Sequence, residues 1–476
     1  MKTKFSPYLS SVKPLLKILL DELLKKYSYV SILASDSTGK DYKVSKSGTD
    51  IGTNSFTLER GFVAKVFDSD SYCEYAFSQI TNELIPEILN DIETSLVPLK
   101  NKLSKDLDYN KYDKLNEETL TFSKSSEFEI DPDAYGDEKI IHELTELHNK
   151  GMAYDPRIID FTLRYEYCQI NKLFLSSKKD LEQSYLWSSA YVVAFSADGE
   201  VNKYTLNPIS GLCGAELLKE LPALVDKAGK TAIELLSSKP LTPGEYDCIC
   251  DPNITGLIAH EAFGHGVEMD MFVKDRALAK EYINQPVASE LVTMHDASSV
   301  GDNTASFFFD DEGTVAHDTV IIDHGVLVRG MNDLQSAMVL NVAPTGNGRR
   351  ERFDHKIYTR MTNTFFEPGT SNLEDMIASI KDGYLIEEGA SGMEDPKNWG
   401  IQCIANIARE IKDGKLTGKI FSPVILTGYV PDLLKSISMV SKDFHLEGGG
   451  GCGKGYKEWA KVSCGGPYLK AKIRLG

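Results

Sequence analysis

The stretch His260-Glu261-Ala262-Phe263-Gly264-His265 limits how this 476-residue chain can fold more than any other. Asn253 reads as a helix cap, and Ile254, Leu257, Ile258 and Ala259 follow at helical spacing, so the motif falls on a helix. Neutral imidazole nitrogens bind zinc, and a Glu beside the metal takes a proton from an attacking water. The familiar helical pattern is His-Glu-x-x-His, with both histidines on one face. Here the histidines are five residues apart, which sets them about 140° apart around a regular α-helix. They can share a metal only where the helix widens into a π-type turn that brings i and i+5 together. Gly264 and Gly266 stand where such a distortion is easiest. The rival reading is a chance pattern in a chain with nine His. Against it, Glu268 and Asp270 add carboxylates just downstream, and two His with a Glu on a half-buried helix need partners.

A catalytic zinc usually has three protein ligands. The residues offer Glu268, Asp270, His295, His324, His355, His445, Cys452 and the run Asp310-Asp311-Glu312 as candidates. Cys452 lies among five glycines, Gly448 to Gly451 and Gly453, which let backbone approach a crowded centre. A thiolate is a good zinc ligand. The glycine run also reads as a plain flexible loop, and His445 is the physical competitor.

The net charge is −18, which disfavours sequence-independent nucleic-acid binding. Eight cysteines without a Cys-x-x-Cys pair indicate neither a disulfide framework nor a zinc ribbon. No apolar stretch approaches the roughly 20 residues of a membrane span, and no secretory signal is visible, so a cytoplasmic location is expected. The spacing predicts an opening helix, strands at Tyr29–Ala34, 56–67, Ile158–Cys168 and Ser184–Phe195, and a helix over about 80–103. Asp36–Asp41 reads as a turn, Ser123–Lys139 as an exposed loop, and Pro240-Leu241-Thr242-Pro243-Gly244 as a boundary. Beyond it come short β-prone runs, among them Ser306–Phe309, and tight turns at Asp323-His324-Gly325 and Asp413-Gly414-Lys415. The expected class is α+β. An N-terminal mixed α/β domain, residues 1–240, would supply the substrate cleft and dimer contact. A mostly antiparallel β domain, residues 241–476, sandwich or barrel-like, would carry the metal-site helix.

The segment His260–Asp270 resembles the metal motif of the TldD/PmbA family. Asp310-Asp311-Glu312-Gly313-Thr314, Pro344–Arg350, Arg360–Thr364, Glu367-Pro368-Gly369, Ser436–Asp443 and Cys452-Gly453-Lys454 are similar to it as well. The resemblance is dense over residues 240–470 and thin before, where Glu59-Arg60-Gly61 fits. It implies a zinc metallopeptidase of the TldD type, with His260, His265 and Cys452 as ligands and Glu261 as catalytic base. It also implies a dimer, homomeric or with a metal-free PmbA-type relative. The tail 457–467 and the stretch Asn398–Cys403 depart from the family pattern and bear on substrate preference. Asn347, Arg349 and Arg350 are candidates for binding substrate backbone or carboxylate, since guanidinium forks suit carboxylates. Asp310, Asp311 and Glu312 are candidates for supporting a metal-bound His, with a surface turn as the alternative. The expected activity is zinc-dependent hydrolysis of short or unfolded peptides. The rival from another class is a scaffold that binds peptides or a partner without cutting them.

Overall fold

The computed structural model describes residues 1–53, 58–68, 71–102, 115–455 and 458–476. Residues 56–57 and 103, the ends of two expected elements, and residue 457 of the divergent tail lie outside these.

Residues 29–211 supply the strands of an eight-stranded sheet. Its path runs Ser71–Phe77, Leu58–Asp68, Tyr29–Ser45, Ile158–Ser176, Lys179–Asp198, Leu120–Ser125, and only the last pair is parallel. Alternate residues of a strand face opposite ways. Val30, Ile32 and Ala34 join Leu9, Leu16 and Leu19 of the helix Pro7–Leu24 and Ile92 of the helix Ile85–Lys102. Leu33, on the other face, joins Val63, Phe174 and, from the second half, Phe309. Both faces are covered, so Tyr29–Ala34 reads as an apolar run in the sequence.

Two expected loops are structured. Asp36–Asp41 continues the strand Tyr29–Ser45 rather than turning. Gly39 permits this, because a Cβ there would come 2.0 Å from the Tyr167 carbonyl oxygen on the neighbouring strand. Arg60 neutralises Asp36 at 2.9 Å. The segment expected as an exposed loop from Ser123 begins in a strand held by parallel pairing to Lys179–Asp198. It continues in a short helix, Pro132–Tyr135, capped by Asp131.

Residues 244–475 supply a twelve-stranded sheet. Five of its strands close into a ring: Ser463–Leu475, Val424–Tyr429, Gly400–Lys412, Asp382–Asp395 and Gly244–Cys250, the last pairing back to the first. Four of these pairings are antiparallel and one, Asp382–Asp395 with Gly244–Cys250, is parallel. The class is thus α+β with a barrel-like second sheet. His324, Gly325, Asp413 and Gly414 all have positive φ, between 44° and 84°, the signature of the tight hairpin turns expected there. Ser306–Phe309 forms no strand; Phe309 makes a single bridge to Val315. The motif helix lies on the ring's core through Ile254, Ile258, Ala259 and Phe263. Gly256 brings it against Ser463–Leu475, where a Cβ would stand 2.5 Å from Gly465 N.

Candidate metal centre

Asp251, not Asn253, caps the motif helix, accepting from Ile254 N at 2.8 Å. The Asn253 carboxamide is used sideways instead: it accepts from Gly389 N at 2.6 Å and donates to Glu447 at 2.8 Å. After the α-helical stretch Pro252–Leu257 the backbone widens into a π-helix, Ile258–Gly264, and ends in a 3-10 turn, His265–Val267. The widening is what the five-residue spacing requires. It leaves the His260 and His265 rings 5.1 Å apart, nearly perpendicular at 83°. Gly264 has ordinary right-handed geometry, φ −57° and ψ −49°, so conformational freedom is not its role. Space is: a Cβ there would come 2.3 Å from Met361 Sδ.

Cys452 arrives on a two-stranded ribbon, Gly451–Lys454 paired with Glu458–Lys461. Its Sγ lies 3.3 Å from His265 Nε2. One ligand-capable atom from each of His260, His265 and Cys452 lies within 4.8 Å of the others, the one such trio among the described residues. Glu261 stands beside both rings, 4.0 Å from His260 Nε2 and 3.8 Å from His265 Nε2. Glu268 meets His265 Nδ1 at 3.1 Å, which leaves Nε2 for the centre; carboxylates commonly orient metal-binding imidazoles this way. Lys454 bridges Glu268 at 3.0 Å and Asp270 at 2.7 Å. Arg360 pins the ribbon by donating to the carbonyls of Cys452 and, at 2.9 Å, of Glu458.

Burial alone would push the Cys452 thiol up, but the charges and N–H groups of His260 and His265 bring it down to about 4. The sulphur is therefore a thiolate at neutral pH, the form that binds metals. Burial would likewise lower His265, yet Glu268 and Cys452 hold it well above its ordinary value. Glu268, despite its burial, is held down to about 2 by Lys454 and His265. Desolvation raises Glu261 above the ordinary carboxylate range, toward the neutral pH at which a general base works best.

The other ligand candidates are occupied elsewhere. His295 is held between Asp318 at 2.6 Å and Glu367 at 2.9 Å. His324 pairs with Asp323 at 2.6 Å, His355 with Glu351 at 3.3 Å and His445 with Glu447 at 3.4 Å. Asp310, Asp311 and Glu312 do not form a surface turn, and His265 takes its carboxylate from Glu268 instead. All three are buried. Asp310 accepts from three backbone N–H groups, while Asp311 and Glu312 pair with Lys172 and Lys65 of the first sheet. Arg350 pairs with Glu74 at 3.1 Å, and Asn347 donates to Asp296 at 2.6 Å and to the Arg360 carbonyl at 2.9 Å. Arg349 donates to the Met361 carbonyl at 2.7 Å and makes no ion pair among the described residues. Glu394 carries no motif signal in the sequence. A Cβ on Gly266 would come 2.5 Å from its Oε1, and both its carboxylate oxygens are buried with no well-formed hydrogen bond among the described residues, the Gly266 N–H being the polar group nearest to hand.

Residues 243–473 match the family profile described as PmbA/TldA metallopeptidase C-terminal domain. A Methanothermobacter thermautotrophicus protein named Metalloprotease is 30% identical over 318 residues, 66% of this chain and 69% of that one. A Saccharolobus solfataricus protein named Zinc metalloprotease TldD homolog is 23% identical over 431 residues, 88% of this chain and 90% of that one. The crystal structure of TldE from Thermococcus kodakarensis has the same fold, with a TM-score of 0.76 and 17% identity over 97% of this chain and 99% of that one. The profile spans the ring, the π-helix and the Cys452 ribbon together, and the first of these relatives matches about two thirds of both chains; the chain belongs to the TldD/PmbA family of metallopeptidases.

Proposed function

We propose that the chain is a zinc-dependent peptidase acting on short or unfolded peptides. The observation that carries this reading is the convergence of two imidazoles and a thiolate within 4.8 Å, with Glu261 beside them. That donor set suits zinc, and the zinc in the Saccharolobus relative's name supports the choice. His260, His265 and Cys452 would hold it. Zinc, when bound, supplies Lewis acidity for the scissile carbonyl and lowers the pKa of an attacking water toward 7. Glu261 takes the proton from that water and delivers it to the leaving amine. Glu268 fixes the ring of His265, and Lys454 holds Glu268 in place.

The strand Asp382–Asp395 supports an extended substrate. It pairs with Gly244–Cys250 only over Gly383–Ile386, and Ala390, Ser391, Met393 and Asp395 are exposed. Gly392 packs against Glu261; a Cβ there would come 2.7 Å from Glu261 Cγ. A peptide added along this edge uses main-chain hydrogen bonds that ignore sequence, while folded proteins have already paired theirs. The fold shared with TldE supports assembly with a second copy or with a metal-free relative. No helix among the described residues is long and apolar enough to cross a membrane.

Elemental analysis with a peptide-library digest tests the reading. Glu261→Gln should keep zinc and fold while cleavage drops by roughly 10² to 10⁴. Undiminished cleavage removes Glu261 from the chemistry. A chain that binds zinc and peptides but cuts none, wild type included, is a scaffold.

A further inference from the structure

A cavity of about 70 Å³ lies between the first sheet and the second half of the chain, with the Cys452 ribbon forming part of its wall. Tyr185, Trp187, Phe307, Phe309 and Trp459 give it aromatic walls. Trp459 is 42% exposed and marks the mouth. Ala460, directly opposite Cys452 in the ribbon, lines the cavity too. The space suits a small group of a few atoms rather than a whole ligand.

The acids lining it are already engaged. Asp311 pairs with Lys172, Glu351 with His355 at 3.3 Å, Glu59 accepts from Phe353 N at 2.7 Å, and Asp310 accepts from backbone N–H groups. Among the lining cations, Lys172, Lys461 and Arg350 are all paired with carboxylates. Arg349 is not. Its guanidinium lies 5.5 Å from the Phe307 ring centroid and spends one donor, Nη1, on the Met361 carbonyl. Burial pushes its pKa down and the Arg360 charge adds to this, while Tyr185, Asp311 and Asp296 oppose it. Trp187 Nε1 is also buried, with no acceptor among the described residues. A half-buried guanidinium with one hydrogen bond and a buried indole N–H without an acceptor among the described residues leave room for a negative oxygen.

We propose that this cavity is a carboxylate-binding subsite, with Arg349 as the fork and the Trp187 N–H as a second donor. The carboxylate is carried by the C-terminus of a peptide or by a free small acid. The peptide source rests on the peptidase reading: the chain of a peptide whose terminus lies here leaves past Trp459, along the ribbon that bears Cys452. Arg349 would then be a specificity residue for free C-termini.

Calorimetric titration of the full-length Glu261→Gln chain separates the sources without relying on turnover. The titrants are a short unstructured peptide as the free acid, the same peptide as the C-terminal amide, and acetate. The free acid should bind roughly ten- to hundredfold more tightly than the amide, as charged hydrogen bonds do, and Arg349→Met should abolish the preference. Trp187→Phe keeps the ring, loses the donor and should weaken the preference severalfold. Arg349→Lys keeps the charge without the fork and should retain only part of it. If Arg349→Met unfolds, these two variants carry the test. Acetate binding that needs Arg349, without an acid-over-amide preference, supports the subsite and assigns it to free small acids, whether or not the chain is a peptidase. The proposal is overturned if no carboxylate binds in an Arg349- or Trp187-dependent way.

Discussion

Two clusters of buried charge stand out, and they are finished differently. Between the sheets, Lys65 meets Glu312 at 2.7 Å and Glu74 at 3.2 Å, Arg350 meets Glu74 at 3.1 Å, and Lys172 meets Asp311. Each of these charges has its opposite. At the metal centre the charge of the outer layer is matched too, with Lys454 between Glu268 and Asp270. The inner layer is not. His260, His265 and Cys452 converge on one point, and neither His260 Nδ1 nor either oxygen of Glu394 has a well-formed hydrogen bond among the described residues. An unmatched buried polar group costs about 1–3 kcal/mol, and the fold gains nothing from it. Matched charge marks what the fold needs, and ligand-capable atoms converging on one point mark where something else binds.

The sharpest way to break this contrast is to remove an inner donor. Cys452→Ala should lose nearly all zinc, measured by elemental analysis after dialysis. Cys464→Ala should keep it, since the Cys464 thiol is pushed up to about 12 by burial and lies outside the trio. Stoichiometric zinc in Cys452→Ala would refute the ligand set.

The paired cluster should respond in stability rather than in metal content. Lys65→Met leaves Glu312 buried without its cation, and breaking a buried pair from one side costs about 3–5 kcal/mol. Denaturant unfolding should show that loss while zinc affinity stays within about twofold, given that distant sites act independently. A matching loss of zinc would show that the clusters are coupled.

Much of this contrast was legible in the sequence, and the reasons it was not all legible are physical. Two histidines five residues apart can share a metal on a helix only through a π-type turn, a condition the residues set and the fold meets at Ile258–Gly264, which removes the chance reading. Strand runs such as Tyr29–Ala34 followed because both faces are buried. Hydrogen-bond partners far apart in the chain leave no periodic trace. Asp310-Asp311-Glu312 reads as a surface turn until Lys65 and Lys172 arrive from residues more than 100 positions away. Arg349, Arg350 and Asn347 look alike as candidates, and only the fold shows that two are spent and one is not. Asp36–Asp41 has turn composition, yet long-range pairing across Gly39 overrides it. Glu394 has no motif around it, and its significance lies wholly in the partners it lacks.

Acid should find the paired cluster next. Glu74 is half-buried, and burial alone would raise it, but Lys65 and Arg350 hold it down to about 2 from its ordinary 4.5. A carboxyl depressed in the fold contributes stability above its ordinary value and loses it as pH falls through the folded one, so the loss falls between about pH 4.5 and 2. Linkage sets that contribution at about 3 kcal/mol. Urea midpoints taken across this window should fall for the wild type and fall less for Glu74→Gln. Parallel curves for the two would detach Glu74 from the acid limb.

The smallest expected effect lies where the two kinds of cluster meet. Glu268 belongs to both: its charge is matched by Lys454 at 3.0 Å, and it orients His265. Glu268→Gln keeps shape and a hydrogen-bonding group while removing the charge that fixes the ring. Lys454 then still has Asp270 at 2.7 Å, so the fold should lose much less than in Lys65→Met. The imidazole loses its carboxylate, and removing such a partner typically weakens metal binding 10- to 100-fold, about 1.4–2.7 kcal/mol. Competition against a chelator of known affinity measures it. A stability loss of several kcal/mol with unchanged zinc affinity would place Glu268 with the structural pairs, and matched charge would then be a sufficient sign of a structural role. The expected result, weaker zinc in a fold that holds, makes the test of function stricter: a paired residue belongs to the site when its partner is one of the converging donors.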